Sequence, residues 1–182
     1  GYHDVTDSSN EAMEQPLCWI TNAFDRSPAE LLWCESPKWG PLSGTLLNLS
    51  YGYGKVYVVP HEKIDSGVQG GMCALPIENF PTGLIRGRFS PHDNQLYVCG
   101  LSAWASSQTA EEGGLYRIRY TGEPAGLPLG LSVKQGRIEI TLSEAASSET
   151  SLDPSQFAVR VWDLKRTKNY GSKHYNEKPL KI

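Results

Sequence analysis

Apolar and polar side chains alternate along this chain in short runs separated by turn-forming residues. In Leu115-Tyr116-Arg117-Ile118-Arg119-Tyr120, Leu115, Arg117 and Arg119 fall on one face and Tyr116, Ile118 and Tyr120 on the other. That period of two predicts a half-buried strand. The same reading predicts strands over 83–89, 95–99 and 114–120. Ser90-Pro91-His92-Asp93-Asn94 forms the turn between the first two, because proline presets φ and Asp and Asn tolerate turn geometry. Upstream it predicts strands over 18–20 and 31–34, a long ribbon over 45–59 and a further strand near 72–77. Val56-Tyr57-Val58-Val59 is the most β-prone stretch.

The runs also look repeated. Shifting the chain by 65 residues lays Phe24 on Phe89, Leu31 on Leu96, Cys34 on Cys99 and Trp39 on Trp104. At a shift of 69, Gly44 meets Gly113, Leu46 meets Leu115, Leu49 meets Ile118 and Tyr51 meets Tyr120. Small antiparallel sheets at a fixed period describe the blades of a β-propeller, each burying its faces against its neighbours. The loop 67–71 and the stretch 105–112 read as insertions in such blades. Two blades cannot close a ring of about four to eight, so the expectation is a piece of a larger ring.

After Thr121-Gly122-Glu123-Pro124 the pattern changes. Strands over 131–134 and 138–142 flank the turn Gln135-Gly136-Arg137, and another runs into Ala158-Val159-Arg160-Val161-Trp162. The spacing suits part of an immunoglobulin-like sandwich, whose full form takes about 100 residues. The basic tail 165–182 reads as a solvated loop. The expected organisation is an N-terminal extension (1–15), a propeller blade (16–82), a final blade lacking its closing strand (83–124) and a partial immunoglobulin-like β-sandwich (125–182). The fold class is all-β.

Composition narrows the function. Glycine (18) and proline (12) make up about one residue in six of the 182, above the usual ~12%. The formal net charge is −3 and no basic stripe marks a nucleic-acid partner. No window approaches the ~20 apolar residues of a membrane span. The first residues lack the basic and apolar regions of a signal peptide and an initiating Met, which suggests a processed or truncated piece. Cys18, Cys34, Cys73 and Cys99 have no zinc or haem spacing, and either two disulfides or four thiols remain open.

Several stretches together carry a resemblance: Pro16-Leu17-Cys18-Trp19-Ile20, Trp39-Gly40-Pro41-Leu42, Leu49-Ser50-Tyr51-Gly52, Val68-Gln69-Gly70-Gly71, Arg86-Gly87-Arg88-Phe89, Arg117-Ile118-Arg119-Tyr120-Thr121-Gly122 and Tyr170-Gly171-Ser172-Lys173-His174-Tyr175. They resemble the C-terminal part of large exported proteins of planctomycetes and their relatives. Those proteins carry a propeller similar to glucose/sorbosone dehydrogenases, often joined to a c-type cytochrome domain. The resemblance implies a six-bladed propeller and a periplasmic or cell-envelope location. It also implies sugar or alcohol oxidation with pyrroloquinoline quinone, calcium or c-type haem in the complete protein, and the remaining blades or a cytochrome c domain as partners. The alternative function is a non-catalytic propeller and Ig-like module that holds partners or glycans in the cell envelope.

Candidate chemistry follows. Arg86 and Arg88, two apart on one strand, share a face. They are candidates for binding an anionic quinone through bidentate contacts, or for salt bridges between blades. Trp39 and Trp104 are candidates for stacking on a ligand ring, or for packing between blades. His3, His61, His92 and His174 have no carboxylate or nucleophile partner at a readable spacing, which favours structural or exposed roles. Asp4, Asp7 and Asn10 alternate like calcium ligands without the full loop, and Asn48-Leu49-Ser50 matches a glycosylation acceptor inside a predicted strand.

Overall fold

A computed structural model describes residues 14–103, 110–145, 154–165, 171 and 173–182. These residues form antiparallel sheets only, with short 3-10 turns and no α-helix. The first sheet has the order β1-β2-β3-β6, built from β1 (Pro28–Trp33), β2 (Leu46–Ser50), β3 (Lys55–Val58) and β6 (Cys73–Ala74). The second, in the order β7-β8-β9, contains β7 (Gly83–Phe89), β8 (Leu96–Leu101) and β9 (Gly113–Ile118). Three two-stranded hairpins complete the set: β4 (His61–Ile64) with β5 (Gly67–Gly70), β10 (Pro128–Lys134) with β11 (Arg137–Leu142), and β12 (Val159–Asp163) with β13 (Tyr175–Leu180). No sheet closes on itself among the described residues.

The two larger sheets stack on one hydrophobic core. In β2 and β3, Leu47 pairs with Val58 and Leu49 with Val56, so four apolar side chains share a face. They meet Leu84, Leu96, Val98 and Ile118 of the second sheet. The approach is close at Gly87, where an added Cβ would lie 3.0 Å from Leu49 Cδ1. Every residue of β2 is buried, because its other face is covered as well. There Asn48, Ser50 and Tyr57 are buried with Asp25, whose Oδ1 accepts hydrogen bonds from Arg26 N (2.6 Å) and Ser50 Oγ (2.9 Å). Burial, followed by the neighbouring Asp25 carboxylate, pushes the Tyr57 hydroxyl far above its ordinary pKa.

The alternation held where a strand covers the core. Leu115 is 74% exposed and Ile118 only 8%, as a period of two requires. Elsewhere the structure differs from expectation. The stretch 18–20 is not a strand, since its backbone turns to let Thr21 O accept from Phe24 N and Asp25 N. The predicted insertion 67–71 contains β5, and the tail contains β13, paired with β12.

The sequence repeat does not map onto matching places. It lays β1 on β8 and β2 on β9, whereas β7, which packs against β1 and β2, has no counterpart strand in the first copy. Paired positions also differ in burial. Leu31 is 61% exposed against 0% for Leu96, and Leu46 is 8% against 74% for Leu115. Cys34 is buried and Cys99 exposed. Short alternating strands share a period, so residues can match in order without sharing an environment.

Candidate functional site

The arginine pair predicted as a cofactor site lies on β7 and shares one carboxylate. Glu30 of β1 places Oε1 2.8 Å from Arg88 Nη1 and 4.0 Å from Arg86 Nε. Its Oε2 accepts from the Gly87 backbone N–H at 2.6 Å. Burial alone would raise the Glu30 pKa, but the hydrogen bonds from Arg88 and Gly87 and the two guanidinium charges outweigh it and hold it below the ordinary value. The geometry is that of a tie between the two sheets.

Trp39 sits in the 3-10 turn Pro37–Leu42 and is 2% exposed. Its ring meets Phe89 edge-on at 5.2 Å, and Nε1 donates to Asn94 O at 3.1 Å. A ring covered on this scale packs between the sheets and offers no face to a ligand. Trp104, with the candidate calcium residues Asp4, Asp7 and Asn10 and with His3, lies outside the described residues. Asn48 is 3% exposed, so the glycosylation-like triplet is buried in β2. All four cysteines are free, and no group of three His, Cys, Asp or Glu side chains gathers among the described residues.

Sequence reasoning missed a cleft of about 400 Å³ between the segment 18–24, the end of β5 and the β12–β13 hairpin. Two glycines permit its construction. A Cβ on Gly70 would strike Leu17 Cδ2 at 2.4 Å and Pro60 O at 2.7 Å, so the chain before the cleft can lie against this hairpin only at glycine. Gly171, with φ +78°, comes equally close to Asn22.

Aromatic rings dominate the walls. Trp19 and Phe24 are each 45% exposed and Trp162 37%. His174 stacks on Trp162 with ring centroids 4.2 Å apart and an interplanar angle of 19°. Its Nε2 lies 3.0 Å from Thr21 Oγ1 and its Nδ1 3.1 Å from Glu177 Oε2. Arg160 Nη1 donates to Glu177 Oε1 at 3.1 Å. A carboxylate beside Nδ1 favours the tautomer with its proton there, leaving Nε2 to accept from the Thr21 hydroxyl. Hydrogen bonds from Arg160 and His174 hold the Glu177 carboxyl below its usual range. Burial pushes the Cys18 thiol up, so it faces the cleft protonated, as an apolar group.

His174 thus has a carboxylate partner in Glu177, at a spacing the sequence pattern does not make readable. Alternation would set residues 174 and 177 on opposite faces. Asn176 takes a left-handed φ of +53° and the β12–β13 register shifts between Val161 and Asp163, which brings the two side chains together. No spacing signal reveals this.

Among the described residues no helix is long and apolar enough to cross a membrane. The chain matches no family model, no curated protein and no solved structure. The fold and cleft thus define an all-β protein of small antiparallel sheets with a recess lined in part by aromatic rings.

Proposed function

We propose that this chain is part of an exported sugar- or alcohol-dehydrogenase-like propeller protein whose quinone cofactor or c-type haem is carried elsewhere in that protein. The supporting observation is the stacking of β7-β8-β9 on β1-β2-β3-β6 over one core, tied by Glu30 to Arg86, Gly87 and Arg88. Neighbouring propeller blades pack their faces in this way. In this reading the chain supplies two blades and a partial Ig-like sandwich in the periplasm or cell envelope. The remaining blades and a cytochrome c domain are its partners.

The test is dye-coupled oxidation by the complete protein with added pyrroloquinoline quinone and calcium. The expected result is turnover of at least one sugar or alcohol, with no quinone affinity in this chain alone. Absence of both binding and turnover across a sugar panel removes the dehydrogenase-like reading.

A second reading is favoured by the arginines themselves. Arg86 and Arg88 already share Glu30, and no reacting group stands near them, which suits a non-catalytic binding or scaffold module. Here Arg86→Ala with Arg88→Ala leaves any quinone affinity of the complete protein unchanged. A large loss of that affinity would place the two arginines at the quinone and speaks against this reading.

A further inference from the structure

We propose that the aromatic cleft holds one neutral pyranose unit of a glycan, bound without chemical change. The proposal deepens the binding-module reading and rests on it.

Three features of the cleft select this ligand. First, among the described residues no Asp, Glu, Lys or Arg lines it. An ionic ligand would lose hydration there with no counter-charge in return. Second, Trp19 and Phe24, each 45% exposed, line the cleft. A flat ring offers dispersion contact to the C–H face of a pyranose and keeps few rotamers to lose on binding. Third, the polar groups are gathered at one place, the Thr21 Oγ1 and His174 Nε2 pair at 3.0 Å. A sugar hydroxyl can extend that pair, donating to a lone pair of Thr21 Oγ1 while the Thr21 proton stays on His174 Nε2.

The alternatives fit less well. An aliphatic chain would leave Thr21 and His174 without a role. A purely aromatic ligand would match the rings and miss the polar rim. The imidazole is held for this task from three sides, by Trp162, Glu177 and Thr21, and pre-set groups bind with less loss of freedom. A recess of about 400 Å³ lies within the ~300–1,000 Å³ of small-molecule sites and leaves room for bridging water.

The experiment is titration of this chain with neutral cello-, laminari-, xylo- and manno-oligosaccharides, followed by tryptophan fluorescence and calorimetry. Oligogalacturonate and benzyl alcohol serve as comparisons. Binding of at least one neutral oligosaccharide is expected, weakened about tenfold or more by Trp19→Ala and several-fold by His174→Gln. Trp33→Ala, outside the cleft, leaves it unchanged. Trp19 is half-exposed, so its variant is expected to fold, and circular dichroism checks this. Tighter binding of the acidic oligosaccharide, or of benzyl alcohol with no neutral sugar bound, overturns the pyranose assignment while the binding-module reading stands. Binding that ignores Trp19→Ala and His174→Gln overturns the site. If none of these probes binds at millimolar concentration, the pyranose assignment fails and the binding-module reading is left with protein partners alone.

Discussion

Glu30 and Gly87 meet across the gap between the two main sheets, the carboxylate Oε2 accepting the backbone N–H at 2.6 Å. A side chain on one sheet thus takes up a main-chain donor of the other, at a position where an added Cβ would press on Leu49 Cδ1 at 3.0 Å.

Removing that acceptor leaves the buried Gly87 N–H without its partner. Glu30→Ala is expected to destabilise by about 1–3 kcal/mol, and Glu30→Gln, which keeps an amide oxygen, by about half as much. Arg86→Ala and Arg88→Ala, at mostly exposed side chains, should each cost less than about 1 kcal/mol. Urea denaturation midpoints distinguish these outcomes, and an arginine variant as damaging as Glu30→Ala would refute the ranking.

The same carboxylate sets an acid dependence. Its folded pKa lies below its ordinary 4.5, so the ionised form is the one folding favours. Its contribution is complete above the unfolded pKa and is lost as pH falls through the folded one. Stability of the protein and of Glu30→Gln, compared between about pH 7 and pH 3, should therefore converge on the acid side. A constant difference would place the effect in packing and not in charge.

Trp39 carries a separate expectation, because its ring is a core element. Trp39→Phe keeps most of the packing but loses the bond to Asn94 O, which still accepts from Ser36 Oγ at 2.8 Å. A loss of about 1–2 kcal/mol is expected, against about 3–5 for Trp39→Ala. Thermal melts measure both, and oligosaccharide affinity of the folded Trp39→Phe variant should equal that of the parent.

Thiol chemistry should follow burial. Burial of Cys34 pushes its thiol up to about 11, the backbone hydrogen bond from Ser36 opposing the shift. Burial also raises Cys18 and Cys73, while Cys99 is exposed. Reaction with an aromatic disulfide reagent near neutral pH should modify Cys99 first and Cys34 only on unfolding. Mass spectrometry of peptides after timed quenching gives the order, and early labelling of Cys34 would contradict the packing.

The alternating runs predicted β7 over 83–89, the hairpin turn at 90–94, the faces of β9 and the β10–β11 hairpin. Each depends on neighbours in sequence, whose side chains point to opposite sides of an extended backbone whatever surrounds them. The long ribbon at 45–59 was legible for the same reason, except that Gly54, at φ +60°, turns the chain between β2 and β3. The apparent repeat lays one antiparallel pair, β1–β2, on another, β8–β9, but matched letters at a matched period say nothing about which face a second sheet will cover. Leu46 and Leu115 share a place in the pattern, and one lies inside the protein and the other in solvent.

The sequence by itself determined an all-β chain without a basic stripe or a long apolar span, since strand period and composition are local properties. Only the tertiary structure decided that Arg86 and Arg88 face Glu30, that Trp39 is sealed in the core, and that Trp19, Thr21, Trp162 and His174 line one recess. Thr21 and His174 lie 153 positions apart. Their meeting depends on a left-handed Asn176 and on Gly70 and Gly171 packed against the side chains of Leu17 and Asn22, and such contacts exist only once the distant segments have packed.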